Sequence, residues 1–442
     1  MTKRFVLALA MVAALSGCSL FRGRGEHRPK TAVMGERIPV LTSEGDAAVE
    51  PSLADVPVTI PDAAPNDGWT QTGGNATKVM GNPALGAAIK PVWVAKVNAG
   101  SPSERLAAGP IVADGKLFLV DAEGVVMAYD AATGRRLWQV APQATKREKA
   151  ILFGGGVSAE NGRVFATNGI GEVMALDAAT GKLVWKAHPA GPLRGAPGIG
   201  NGNVYVLTQD NQIIALSEDK GEVVWTVSAT LQTAGVFGVA APAIAQGTVV
   251  AGFSSGELSA LRYENGRIVW QDQLSRTSIS TSVSSISDID ASPVIDQGKV
   301  YAIGEGGRMV GMDLVSGQRQ WEISIGGIET PWLAGEWLFV VTDDARLLCI
   351  ARATGKIRWV SQLTRFRDPK TKNKTVGWSG PILAGGRLIL VNTLGELVQV
   401  KVADGKVIST ARKAGKGFYL APIVANSMLY TLDMKGRLTA WR

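Results

Sequence analysis

Asp130-Ala131-Ala132-Thr133-Gly134-Arg135-Arg136-Leu137-Trp138 decides the fold, because the chain keeps returning to it. It recurs as Asp177-Ala178-Ala179-Thr180-Gly181-Lys182-Leu183-Val184-Trp185. Shorter versions run from Gly221 to Trp225, Gly266 to Trp270, Gly317 to Trp321 and Gly355 to Trp359. A seventh copy, Gly405-Lys406-Val407-Ile408-Ser409, carries serine where the others carry tryptophan. Successive glycines lie 47, 40, 45, 51, 38 and 50 residues apart. That period suits a unit of four short strands.

The interior of the first unit reads the same way. Gly109 to Ala113, Lys116 to Val120, Val125 to Tyr129 and Arg135 to Val140 are apolar, β-branched runs. X-Gly turns at Asp114-Gly115, Glu123-Gly124 and Thr133-Gly134 separate them, which spells an up-and-down antiparallel sheet. Sheets buried on both faces need neighbours, and stacking them radially makes a β-propeller. The 53 glycines beside only 20 prolines fit many tight turns, since no G-x-y period accompanies them.

Seven units end near residues 140, 187, 227, 272, 323, 361 and 410. After them Ala421 to Ala425, Met428 to Leu432 and Arg437 to Trp441 supply three strands. Lys90-Pro91-Val92-Trp93-Val94-Ala95-Lys96-Val97 matches the tryptophan strand of the other units. The expected fold is therefore all-β: an eight-bladed propeller of four-stranded antiparallel blades over 67–442, with residues near 89–97 completing the last blade. Trp93, Trp138, Trp185, Trp225, Trp270, Trp321 and Trp359 then occupy one outer-strand position, where a large side chain packs against the next blade. They are read as structural.

Outward from the repeats, the N-terminal part has another character. Lys3 and Arg4 precede an apolar stretch from Phe5 to Leu15, which is signal-peptide length and too short for a stable span. It ends in Leu15-Ser16-Gly17-Cys18, which resembles the bacterial lipoprotein signal. That resemblance implies removal of residues 1–17 and lipidation of Cys18. Because serine rather than aspartate follows Cys18, it also implies the outer membrane. An ordinary signal peptide with a chance cysteine is the plainer alternative. Several acyl chains on one residue anchor firmly where one alone does not. Residues 18–66 lack hydrophobic periodicity and are interrupted by Pro51, Pro57, Pro61 and Pro65, so they read as a flexible tether.

Charge and cysteines narrow the function classes. The net charge is +8, and residues 1–65 balance, so the excess belongs to the repeats. Its one dense run is Arg365, Arg367, Lys370, Lys372 and Lys374, without aromatic interleaving or a nucleic-acid motif. It reads as a solvated loop, and no nucleic-acid partner is expected. Cys349, the second of two cysteines, lies in an apolar run and reads as a core residue.

The repeat phrase resembles those of quinoprotein-type propellers. With the lipoprotein signal and eight blades, the chain resembles the family of outer-membrane assembly factor B, the propeller lipoproteins of the β-barrel assembly machinery. The resemblance implies a non-catalytic scaffold on the periplasmic face of the outer membrane. Its partner would be the POTRA region of the pore subunit, with unfolded outer-membrane proteins as a further partner. Ser287-Asp288-Ile289-Asp290-Ala291-Ser292-Pro293 looks like the family's contact segment, which implies that Asp288 and Asp290 face that partner. Two such carboxylates can accept charge-assisted hydrogen bonds, or they can simply cap a turn. A second contact region corresponds to residues 234–239, where Val236 is apolar and Phe237 stands in place of the family's arginine. Phe237 suits an interface anchor or a residue packed into the propeller face.

Two alternatives use the same fold. A quinone-dependent dehydrogenase needs a calcium site and commonly a vicinal cysteine pair, and the chain has no Cys-Cys and no D-x-D-x-D-G cluster. No cofactor and no metal are expected. Only His27 and His188 are present, which argues against a zinc site or a Ser-His-Asp triad. Gly154-Gly155-Gly156 and the glycines around Glu305 lack the lysine and helix of a phosphate loop. A glycan-binding propeller would place aromatic residues on loop tips, for which Trp332, Trp337 and Trp378 are the candidates.

Overall fold

A computed structural model describes residues 47–101, 104–193, 195–231, 240–274 and 288–442. It contains eight four-stranded antiparallel sheets arranged as an eight-bladed propeller. Blade 1 runs from Ile111–Ala113 to Arg136–Val140, and blades 2 to 7 follow in chain order. Blade 8 is composite. Ile423–Ala425, Met428–Leu432 and Arg437–Trp441 pair in sequence, and Pro91–Lys96 closes the outer edge. Among the described residues the only helical pieces are single 3-10 turns at Pro51–Leu53 and Glu148–Ile151.

Burial follows the strand's place in the blade. Asn203–Leu207 is buried throughout because both faces meet neighbouring blades. The outermost strand Leu183–Ala187 exposes Leu183 and Val184 and buries Trp185. The repeat phrase now has a mechanism. Asp130 Oδ1 accepts from the Thr133 amide at 2.9 Å and from its hydroxyl at 2.7 Å, which holds the turn. Gly134 sits at φ +72°, and a Cβ there would lie 2.5 Å from the Trp93 ring. Trp93 Nε1 donates to Ala131 O at 3.0 Å in that same turn. Every tryptophan in the series repeats this: Trp225 Nε1 reaches Tyr263 O at 2.8 Å while its ring lies where a Gly266 Cβ would be. Each blade's tryptophan is thus clasped by the turn of the next blade, and only glycine leaves room for it.

Ser409 also finds its reason here. By the symmetry of the ring, it faces the junction of the third and fourth strands of blade 8. Those strands come from distant parts of the chain, so no clasping turn exists there. Instead Lys90 and Arg442 exchange backbone hydrogen bonds of 2.7 and 2.8 Å. The blade 7 edge, Val407–Ala411, is exposed along its length.

A feature with no forewarning in the sequence lines the channel. Residues 66–83 run around its inner wall and meet every blade in turn. Asn66 bonds Val424 O and Asn426 N in blade 8, and Trp69 exchanges two backbone bonds with Val112 in blade 1. Thr70 O accepts from Ala159 N in blade 2, and the Gln71 amide grips both polar groups of Ile199 in blade 3, at 2.9 and 3.0 Å. Ala76 O and Thr77 O accept from Ile244 N and Ile295 N in blades 4 and 5. Gly81 O accepts from Trp332 Nε1 in blade 6, and Pro83 O from Gly385 N in blade 7. Innermost strands otherwise present an unpaired edge to the channel, and this strap satisfies it.

The stretch before the strap departs from the sequence reading as a tether through residue 66. Val49 pairs with Ile357 on the outer strand of blade 6, Glu50 N donates to Ile357 O at 2.8 Å, and Arg358 Nε donates to Val56 O at 2.8 Å. Lys356 and Glu50 add an ion pair at 3.2 Å. Low periodicity signalled the absence of a regular element, and backbone hydrogen bonds hold the segment regardless. The basic run between blades 6 and 7 is likewise more ordered than a loop: Phe366–Asp368 pairs with Asn373–Thr375, with its lysines exposed.

Three stability changes are expected in thermal or urea unfolding. Trp225→Ala should cost about 3–5 kcal/mol through the cavity it leaves. Ser409→Trp should stay within about 0.5 kcal/mol of the parent, because nothing clasps it. Gln71→Ala should cost about 1–3 kcal/mol by stranding buried backbone groups of blade 3.

Candidate functional site

The segment before the innermost strand of blade 5, Val294–Asp296, carries Asp288 and Asp290. Both are buried, at 0% and 4% exposure. The segment is stitched on both sides: Ile289 N donates to Phe253 O in blade 4 at 3.2 Å, and Glu305 N donates to Asp288 O at 2.9 Å. Ser292 continues the stitching, accepting at Oγ from Ala241 N at 3.0 Å and donating its amide to Thr330 Oγ1 at 3.1 Å. Ile289 packs so close to blade 4 that a Cβ on Gly252 would lie 2.4 Å from it.

The surface above these aspartates is acidic for a further reason. Glu305 and Asp343 occupy equivalent places in the turns that follow the second strands of blades 5 and 6. Burial, followed by the negative charges of Asp343 and Asp288, pushes the Glu305 carboxyl up to about 7. Desolvation similarly raises Glu329, on the next loop, to about 7, although Gly380 N donates to its Oε2 at 3.0 Å. Asp288 is buried, Glu305 half-buried and Asp343 exposed, so negative charge extends from the interior to the rim. A cation placed there relieves mutual repulsion and lowers the cost of ionising Glu305.

Glu305 and Asp343 escaped the sequence reading because Glu305 lies among turn glycines. Superposing the repeats would have found them. Ala122, Gly169, Gln209, Ser254, Thr393 and Met434 fill the same place in the other blades, so carboxylates occur only in two adjacent ones. Val236, Phe237 and Cys18 lie outside the described residues.

The aromatic residues considered for glycan binding are not loop-tip platforms. Trp332, Trp337 and Trp378 are 6%, 4% and 8% exposed. The indole N–H groups of Trp332 and Trp378 are engaged by Gly81 O and Thr364 O, so the three belong to the packing of blades 6 and 7. His188 is exposed beside a blade edge, and burial raises the Cys349 thiol far above its ordinary range.

Comparisons with known proteins converge on one family. A family model described as "Outer membrane protein assembly factor BamB" matches residues 90–152 and 122–361. The protein of that name from Yersinia pestis is 25% identical over 354 residues, covering 79% of this chain and 88% of the relative. BamB from Moraxella catarrhalis superposes with a TM-score of 0.68 at 21% identity, over 80% of this chain and 100% of that one. The quinohemoprotein alcohol dehydrogenase of Comamonas testosteroni reaches 0.66 at 15% identity, over 86% and 81%, a likeness of fold alone. With eight blades, quinoprotein-type repeats and a family match over more than half its length, the chain belongs to the outer membrane protein assembly factor BamB family.

Proposed function

We propose that this protein is a non-catalytic scaffold of outer-membrane protein assembly. A lipid on Cys18 holds it at the periplasmic face of the outer membrane. The loops of blades 4 to 6 bind the POTRA region of the barrel-assembly pore subunit. The observation that carries this reading is the acidic cluster of Asp288, Glu305 and Asp343 on the loops of blades 5 and 6. Exposed Asp343 and half-buried Glu305 receive the partner's basic side chains. Buried Asp288 and Asp290 act from beneath, through charge and loop shape. Val236 and Phe237 supply the apolar part of the contact.

A second role, holding unfolded barrel proteins, is supported at the blade edges. At blade 6 the protein's own segment from Val49 to Val56 lies on the outer strand, and Ile357 is only 3% exposed. The equivalent Leu183, Val223, Ile268 and Val407 are 50%, 54%, 41% and 53% exposed. Those edges offer unpaired backbone and apolar side chains, which is what strand addition uses.

Capture of the pore subunit from solubilised membranes tests the scaffold reading. Asp343→Lys with Glu305→Gln should keep the fold and reduce capture at least about tenfold, the loss expected when close charge pairs are removed. Asp288→Arg with Asp290→Arg buries two charges, so its result counts only if its unfolding midpoint matches the parent. Equal capture by parent and Asp343→Lys/Glu305→Gln would reject the site. Capture by neither would reject the scaffold. The sign of the pH effect follows Glu305 and Asp343, whose carboxyls desolvation raises to about 7 and about 6, so both gain charge as pH rises. Capture should therefore strengthen from pH 6 to pH 8 and weaken with salt.

A further inference from the structure

Above the strap of residues 66–83 the channel is not filled. A cavity of about 210 Å³ lies between the strap and the inner loops of blades 1, 5, 6, 7 and 8. Trp69 and Lys78 from the strap, Trp332 and Glu329 from blade 6, and Arg105 and Tyr419 from the flanking loops line it. The rings of Trp69 and Trp332 stack with centroids 5.8 Å apart at 22°, and the two indoles border the cavity as a pair. The Trp332 N–H is already committed to Gly81 O, so that ring offers the cavity carbon.

Lys78 is the anomaly. It is 2% exposed, and its Nζ has no hydrogen-bond partner among the described residues. A buried ammonium without a partner is costly, and side chains of this kind are normally paired. Its backbone sits at φ +66°, and its aliphatic stem packs against Gly73, where a Cβ would lie 2.8 Å from Lys78 Cδ. Burial alone lowers its ammonium to about 7. The other titratable groups on the cavity are Asp290, Glu329, Arg105 and Tyr419, and none contributes to that shift.

We propose that the axial cavity binds a small carboxylic acid with an aromatic or branched apolar body, its carboxylate paired with Lys78 Nζ and its body against Trp69 and Trp332. The charge requirement comes from Lys78, and the apolar body from the indole pair. An inorganic anion would leave most of its oxygens facing carbon. Size agrees: a dry cavity of about 150 Å³ accepts benzene, and this one is larger and opens to solvent beside Tyr419, which is 41% exposed. The proposal is independent of the assembly role, because no partner protein enters it.

Phenylacetate is the probe, titrated calorimetrically into the full-length protein at pH 8 in two buffers of different ionisation enthalpy. One site per chain is expected. At pH 8 an empty site with its ammonium near 7 is about nine-tenths neutral, so pairing with the carboxylate should take up close to one proton. Affinity should accordingly fall with rising pH above about 7, by up to about tenfold per unit. Phenylacetamide, of the same shape without charge, should bind at least about tenfold more weakly. Lys78→Met should lose phenylacetate binding and proton uptake while keeping its unfolding midpoint, since it replaces an unpartnered buried amine with an apolar side chain of similar length. Glu329→Gln should keep the uptake, which assigns the proton to Lys78. Tyr419→Ala, at an exposed position, should weaken binding several-fold and serves if Lys78→Met does not fold. The proposal is overturned by absence of saturable binding, by equal affinity for the amide, or by binding that survives Lys78→Met.

Discussion

The structure depends on one repeated contact: a tryptophan of one blade held in the turn of the next. Because the indole hydrogen-bonds the turn's backbone and its ring fills the space over the turn glycine, neither half is stable in a blade alone. Seven of these clasps fix blade spacing and angle, and the sequence must keep Gly and Trp in step to preserve them. The eighth interface obeys the same logic by exception. Where blade 8 is assembled from two distant segments, its turn is replaced by the Lys90–Arg442 pairing, and the preceding blade carries Ser409. The irregular copy in the sequence marks the seam of the ring.

That dependence explains what was legible beforehand. The clasp uses side chains and a left-handed glycine, both of which leave letters in the sequence, so blade number, strand order and the closing strand Pro91–Lys96 could be read. The strap of residues 66–83 works mainly through its own carbonyl and amide groups, which every residue has, and it follows no period. The side chains that do grip, Asn66, Gln71 and Asn82, fall at irregular intervals and give no pattern. The same holds for residues 49–56 on blade 6. Asp288 and Asp290 were visible as a motif, but their burial was not, since burial depends on loops from blades 4, 5 and 6 meeting there. Glu305 and Asp343 were within reach through superposition of the repeats.

The two features argued to have functional weight lie close together. Glu329 borders the axial cavity and also feels the charge of Asp343 on the acidic rim. The propeller ring itself is held rigid by clasps and strap. Chemistry that departs from the repeat is gathered where blades 5 and 6 meet the channel, which is the usual relation between a regular scaffold and the site grafted onto it.

The strap also sets a constraint in time. Asn66 bonds Val424, 358 residues further along, and each blade between them bonds the strap as it passes. During synthesis residues 66–83 emerge long before the last of these partners, and a chain so rich in distant contacts organises slowly. The strap cannot be seated until blade 8 exists, and blade 8 cannot close without Pro91–Lys96. Maturation therefore converges on a single late event that joins the two extremities of the fold, and damage at either extremity is one and the same lesion.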